Sequence, residues 1–178
     1  MSGWRPGDRR ADAKSMLRVD QAGEYGATRI YAGQLAVLRR NCPEAKLIAR
    51  MAAQEERHLK RFNALVADRR VRPTALQPLW NVAGFALGAA TALMSEKAAL
   101  ACTDAVETEI DRHYAGQLVD VGEDDPELSK DIAEFQAEEL EHRNTAREAG
   151  AAQAVGYPLL TAAIRAGCRV AIGLSKRI

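Results

Sequence analysis

Aromatic side chains are scarce in this chain. Phe, Trp and Tyr make up 5% of its 178 residues, too few for the stacking platforms on which single-stranded nucleic acid lies. Charge of one sign is missing too: 25 Lys and Arg stand against 24 Asp and Glu, a net +1. No broad field draws a polyanion, so nucleic acid is excluded as a partner. Cysteine occurs three times, at Cys42, Cys102 and Cys168, with no CxxC pair. That excludes a zinc ribbon and a rubredoxin-like electron-transfer site. An odd number, widely spaced, fits small core residues of a reducing compartment. No alternating strand pattern appears, and no Gly-x-Gly-x-x-Gly element follows one, so a flavin domain has no room. Residues 1–14 are polar and mixed in charge, without the apolar stretch of a secretory signal, and Asp8 and Asp12 argue against a transit peptide.

What is present is helical. Glycine and proline punctuation separates long helical patterns near 15–40, 44–69, 79–93, 95–120, 127–150 and 157–175. Pro43 suits a first helical turn, where its missing N–H has no partner to lose. A basic, proline-bounded linker runs from Asp68 to Pro78, and an acidic turn from Asp120 to Pro126. The expected organisation is a polar tail over 1–14 and one domain over 15–178.

Within that domain two stretches repeat each other. The segments Glu24–Leu35 and Glu107–Leu118 align without gaps and share seven of twelve residues. Each is followed by Glu-x-x-His, at Glu55 to His58 and at Glu139 to His142. The repeat thus spans two helical hairpins, 15–69 and 95–150, related by an approximate twofold. Residues three apart share a helix face, so each Glu-x-x-His presents a carboxylate and an imidazole together, while Glu24 and Glu107 come from partner helices. Four glutamates and two histidines in this arrangement are the ligand set of a carboxylate-bridged two-metal site inside a four-helix bundle. Oxygen and imidazole donors suit iron or manganese. Four carboxylates also neutralise two divalent ions, so a buried site carries no large uncompensated charge. Two of the chain's three histidines fall in the pattern; spacing alone leaves Glu56, Glu138 and Glu141 as competing ligands. His113 points away from the Glu107 face and is expected at the surface or in an outer position. Tyr31 and Tyr114 stand two turns after Glu24 and Glu107, placed either to hydrogen-bond the ligands or to pack as plain core. Gly23, Gly26, Gly33 and Gly116 cost helix stability and are expected to allow close helix approach.

From Pro73 to Ser95 no residue is charged, a run of 23 positions. Its Ala, Gly, Gln77, Pro78 and Asn81 make it a poor membrane span; Leu79, Trp80, Phe85 and Leu87 suit a membrane surface or a greasy access route. Gly84-x-x-x-Gly88 marks a helix-packing seam. In the last helix Leu160, Ile164, Gly167, Ala171, Leu174 and Ile178 recur at heptad spacing, with Arg165, Arg169 and Lys176 on another face. That is the pattern of a helix lying on a membrane surface.

Several of these segments resemble one family. Arg18-Val19-Asp20-Gln21-Ala22-Gly23-Glu24-Tyr25-Gly26-Ala27, Glu55-x-x-His58-Leu59-Lys60-x-Phe62, Ala101-Cys102-Thr103-x-Ala105-Val106-Glu107, Glu138-Glu139-Leu140-Glu141-His142 and Ala166-Gly167-Cys168-Arg169-Val170-Ala171-Ile172 are similar to the demethoxyubiquinone hydroxylases of ubiquinone biosynthesis. The resemblance runs from about residue 15 to the C-terminus. It implies an all-α, ferritin-like four-helix bundle with two extra apolar or amphipathic helices, and two Fe ions held by Glu24, Glu55, His58, Glu107, Glu139 and His142, with Glu55 and Glu139 bridging. It implies O2-dependent hydroxylation of a 2-polyprenyl-3-methyl-6-methoxy-1,4-benzoquinone. The two electrons would come from NADH by contact or from a separate, external reductant. It further implies a peripheral place on the inner membrane, on the cytoplasmic side in a bacterium and the matrix side in a mitochondrion, and, in eukaryotes, a lipid-binding partner protein. A homo-oligomer is a further expectation. Gly173 stands where some members have an aromatic, so any role of that aromatic does not carry over. Ferritin-type iron oxidation and storage, manganese catalase or peroxidase chemistry, and a diiron quinol oxidase are the competing uses of the same residue set.

Overall fold

The computed structural model describes residues 12–177. Residues 1–11 of the expected polar tail, and Ile178 of the heptad set, therefore lie outside the described residues. Helix α1 (Ala13–Val37) pairs with α2 (Pro43–Asp68), and α4 (Glu96–Val121) with α5 (Pro126–Glu148); α3 (Gln77–Met94) and α6 (Tyr157–Ser175) complete the chain. The described residues form no strand, and the two hairpins make an all-α, ferritin-like four-helix bundle.

Local chemistry sets the ends of the helices. Asp12 caps α1 by accepting from Ser15 N at 3.1 Å. Ser95 ends α3 in an extended conformation and caps α4 through Ala98 N at 3.0 Å, so one residue separates the two helices. Pro43 and Pro126 open α2 and α5 in first-turn positions, where proline costs no hydrogen bond. Helix α1 stops three residues short of the expected 40, because Leu38 already has extended backbone. Gly150 and Gly156 take left-handed backbone around the 3-10 turn Ala151–Gln153, which carries the chain from α5 into α6.

Each appended helix leans on the first helix of one hairpin. Helix α3 packs on α1, the first helix of its own hairpin, and α6 packs on α4, the first helix of the other. The α1–α3 contact is backbone against backbone. A Cβ added at Gly88 would lie 1.9 Å from the Ile30 carbonyl oxygen, and one at Gly33 would lie 2.1 Å from that of Phe85. The expected Gly84-x-x-x-Gly88 seam is therefore present, with Gly33 opposite. Gly23 and Gly116 correct the expectation of close approach, since a Cβ on either meets nothing within 4 Å; Gly26 also has room for a Cβ, but its carbonyl oxygen would lie 3.0 Å from a Cβ at Gly84.

Helix α6 also departs from the expected membrane-surface pattern. Arg165 and Arg169 turn toward the bundle, where Nε and Nη1 donate to Glu109 Oε1 at 2.7 and 2.8 Å. Exposed apolar side chains occupy its outer face instead, including Leu159, Val170 and Leu174. Helix α3 matches it with exposed Leu79, Val82, Leu93 and Met94, while Trp80 Nε1 ties it to Ser175 Oγ at 3.1 Å. No helix among the described residues is long and apolar enough to cross a membrane.

Candidate metal centre

The bundle axis is polar where it should be greasy. Glu24, Glu55, His58, Glu107, Glu139 and His142 are all buried, none more than 2% exposed. They converge as two groups, Glu24–Glu55–His58–Glu139 and Glu55–Glu107–Glu139–His142, in each of which one donor atom per residue lies within 4.8 Å of all the others. Glu55 and Glu139 belong to both groups. His58 Nδ1 is 3.0 Å from Glu139 Oε1 and 3.4 Å from Glu24 Oε2; His142 Nδ1 is 3.1 Å from Glu55 Oε1 and 3.3 Å from Glu139 Oε2.

The hydrogen bonds of this cluster turn outward. Tyr114 Oη donates to Glu24 Oε1, and Tyr31 Oη to Glu107 Oε1 at 2.8 Å. Each tyrosine serves the glutamate of the other repeat. Seven residues of helix span about 10 Å, too far to reach the glutamate on the same helix, whereas the antiparallel run of α1 and α4 brings the opposite one within reach. Both tyrosines are buried, and each hydroxyl reaches a glutamate of the cluster instead of packing as plain apolar core. The imidazoles are held from behind: His58 Nε2 lies 2.6 Å from Glu138 Oε2, and His142 Nε2 lies 2.9 Å from Gln54 Oε1. A carboxylate or amide oxygen only accepts, so both rings carry a proton on Nε2 and turn Nδ1 inward. His58 also stacks on Phe135, ring centroids 4.1 Å apart.

After that accounting Glu24 Oε2, both oxygens of Glu55, His58 Nδ1, Glu107 Oε2, both oxygens of Glu139 and His142 Nδ1 are buried with no hydrogen-bond partner. Leaving even one such atom unpaired costs of order 1–3 kcal/mol, and eight so close together call for an electrophile, protons in the metal-free protein or metal ions when bound. Two cations would satisfy all eight: one oxygen from each outer glutamate, both oxygens of the two central glutamates, and one nitrogen from each histidine. The donor set therefore fits a metal pair.

Burial and mutual repulsion hold the Glu55 and Glu107 carboxyls well above their usual range, and burial raises Glu139 as well. Burial alone would lower His58, but its contacts with Glu139 and Glu24 prevail and push it up to about 10; burial leaves His142 below its ordinary value. A group whose folded pKa is raised stabilises the fold below its unfolded pKa and loses that contribution as pH rises through the folded one. The metal-free protein is therefore expected to lose stability as pH rises from 6.5 toward about 10. A divalent ion, which competes with those protons, should stabilise it more at the upper end. Thermal unfolding with and without Co(II) across that interval checks both signs.

Of the competing ligands, Glu56 and Glu141 are exposed, and Glu138 bonds a histidine instead of facing the centre. His113 lies outside the cluster, 3.3 Å from Asp20 and 3.0 Å from Gln117. The supporting roles of Gln54 and Glu138 carried one sequence signal: both stand directly before a ligand glutamate. The thiols of Cys102 and Cys168 are pushed up to about 12, chiefly by burial, as inert core residues would be. Beside the cluster a crevice too tight for water is lined by Ala27, Ile30, Tyr31, Thr103, Val106 and Glu107, and the buried Thr103 hydroxyl has no partner.

Bundle and cluster together define a ferritin-like helical protein with a buried carboxylate–histidine site able to hold metal. The family model described as ubiquinone biosynthesis protein COQ7 matches residues 11–175. The 3-demethoxyubiquinol 3-hydroxylase of Rhodospirillum rubrum is 56% identical over 162 residues, covering 91% of this chain and 76% of that protein. The human mitochondrial protein named NADPH-dependent 3-demethoxyubiquinone 3-hydroxylase is 51% identical over 173 residues, 95% of this chain and 79% of that one. The mitochondrial 5-demethoxyubiquinone hydroxylase of Saccharomyces cerevisiae is 44% identical over 179 residues, with 92% and 77% covered. The chain belongs to the COQ7 family and is a hydroxylase.

Proposed function

We propose that this chain hydroxylates the ring of a demethoxyubiquinone or its quinol with O2, using two iron ions held by Glu24, Glu55, His58, Glu107, Glu139 and His142. The carrying observation is the set of eight buried, unpartnered donor atoms that two ions would satisfy. Iron, when bound, supplies the means to activate O2 and pass one oxygen atom to the ring while the other leaves as water. The two electrons come from a reduced nicotinamide or a separate reductase; the mammalian relatives' names specify NADPH, where the sequence reading expects NADH or an external reductant.

The chain's own residues do the rest. Glu55 and Glu139, shared by both groups, would hold both ions. Tyr31 and Tyr114 each restrain one oxygen of an outer glutamate, leaving its second oxygen as ligand. Glu138 and Gln54 fix the imidazole tautomers. Apolar packing from Phe62, Phe135 and Met51 keeps bulk water from the reacting centre. The outward apolar faces of α3 and α6 suit a peripheral position on a membrane surface, where a polyprenyl quinone dissolves. The resemblance adds a lipid-binding partner protein, and a homo-oligomer is a further expectation.

Turnover of a short-chain demethoxyquinone under 18O2, with NADPH or a chemical reductant, tests the reading. A product carrying one labelled oxygen is expected. Oxygen consumption without labelled product would favour a quinol oxidase, and iron uptake beyond the paired site would favour storage.

A further inference from the structure

The duplicated centre is built on two equivalent halves whose outer partners differ in charge. Gln54 and Glu138 occupy matching positions, each directly before a central glutamate of the repeat. Each accepts a hydrogen bond from the histidine of the other half, at 2.9 Å from His142 Nε2 to Gln54 and 2.6 Å from His58 Nε2 to Glu138. The bonds agree in place and differ in kind, one to a neutral amide and one to a carboxylate. The asymmetry extends one turn further. Arg57, its side chain 53% exposed, holds Glu138 at 2.5 Å, and its counterpart in the repeat is the acidic Glu141.

An anionic acceptor draws the Nε2 proton more strongly than an amide does, so the ring it holds is the more basic ligand at Nδ1. We propose that the two ion positions are unequal: the one facing Glu24 and His58 binds a divalent ion more tightly than the one facing Glu107 and His142, and Glu138 opposite Gln54 sets that order. This rests on the two-metal reading above. Glu138 and Gln54 are positioning residues, acting through the imidazoles. Outer partners of metal-bound histidines typically change affinity by about 10–100-fold, and a gap of that order is expected between the two steps.

The test is Mn(II) titration of the metal-free full chain, with free ion read by its electron paramagnetic resonance signal. The wild type is expected to take two ions in two resolved steps. E138Q should weaken the first step by about 10-fold or more and leave the second nearly unchanged. Q54E should tighten the second step and narrow the gap from the other side, a gain that a merely structural role would not give. Two steps of equal affinity in the wild type overturn the proposal, as does an unmoved first step in E138Q or an untightened second step in Q54E. A wild type that binds fewer than two ions would instead sink the two-metal reading itself.

Discussion

Replacing Glu139 with glutamine (E139Q) is expected to abolish the metal pair and hydroxylation together, while making the metal-free protein more stable. Glu139 is one of two residues that reach both halves of the cluster, and both of its oxygens are buried without a hydrogen-bond partner. An amide offers one weak oxygen donor and an N–H2 that repels a cation, so neither ion keeps its full set. The loss of turnover should exceed the roughly 100-fold that an outer partner costs. The stability gain follows from the same geometry. Among neighbouring charges, Glu139 weighs most in raising Glu55 and Glu107, and Glu24 repels it as well, so removing its charge relieves three repulsions against one lost attraction, to His58. For a chain of this size each kcal/mol is worth about 2–4 °C of Tm. Calorimetry and bound-metal analysis on the same sample check both halves. An E139Q protein that keeps two ions, or that melts lower without metal, contradicts the assignment.

The second large effect lies away from the site, at Gly88. In G88A the new methyl carbon would sit 1.9 Å from the Ile30 carbonyl oxygen and 3.0 Å from the Gln34 amide nitrogen. Both obstacles are backbone of α1, so no rotamer change relieves them and α3 must move away. Overpacking a rigid core costs about 1–3 kcal/mol and occasionally more, and a backbone obstacle puts this case at the upper end, a Tm drop of about 6–12 °C. Helix α1 carries Glu24 and Tyr31, so metal affinity should fall as well. G116A is the control. Its Cβ meets nothing, and Gly to Ala inside a helix gains about 0.5–1 kcal/mol. If G88A melts like the wild type, the close α1–α3 contact is wrong.

These cases show which parts of the molecule were legible in the sequence. The helices were, because their ends are written locally in Pro43, Ser95 and Pro126. The six residues of the cluster were too, because the duplication presents each ligand type twice at matched spacing. What escaped depends on which helices face each other. Spacing placed Tyr31 near Glu24, but its partner is Glu107, across the bundle. The amphipathic pattern of α6 sent Arg165 and Arg169 toward a lipid surface, when a buried Glu109 on α4 holds both. Gly33 and Gly116 sit in equivalent places of the repeat, yet only Gly33 touches another backbone, because α3 and α6 pack their parent helices differently in detail.

The central claim is that four glutamates and two histidines hold two ions at once. The most direct measurement is the iron content of the full-length chain after anaerobic reconstitution with Fe(II) and removal of loosely bound metal. About two irons per chain are expected, both lost in E139Q. One iron or none in the wild type would contradict the claim, because eight unpartnered donor atoms around a shared pair of carboxylates would then be left without their cations.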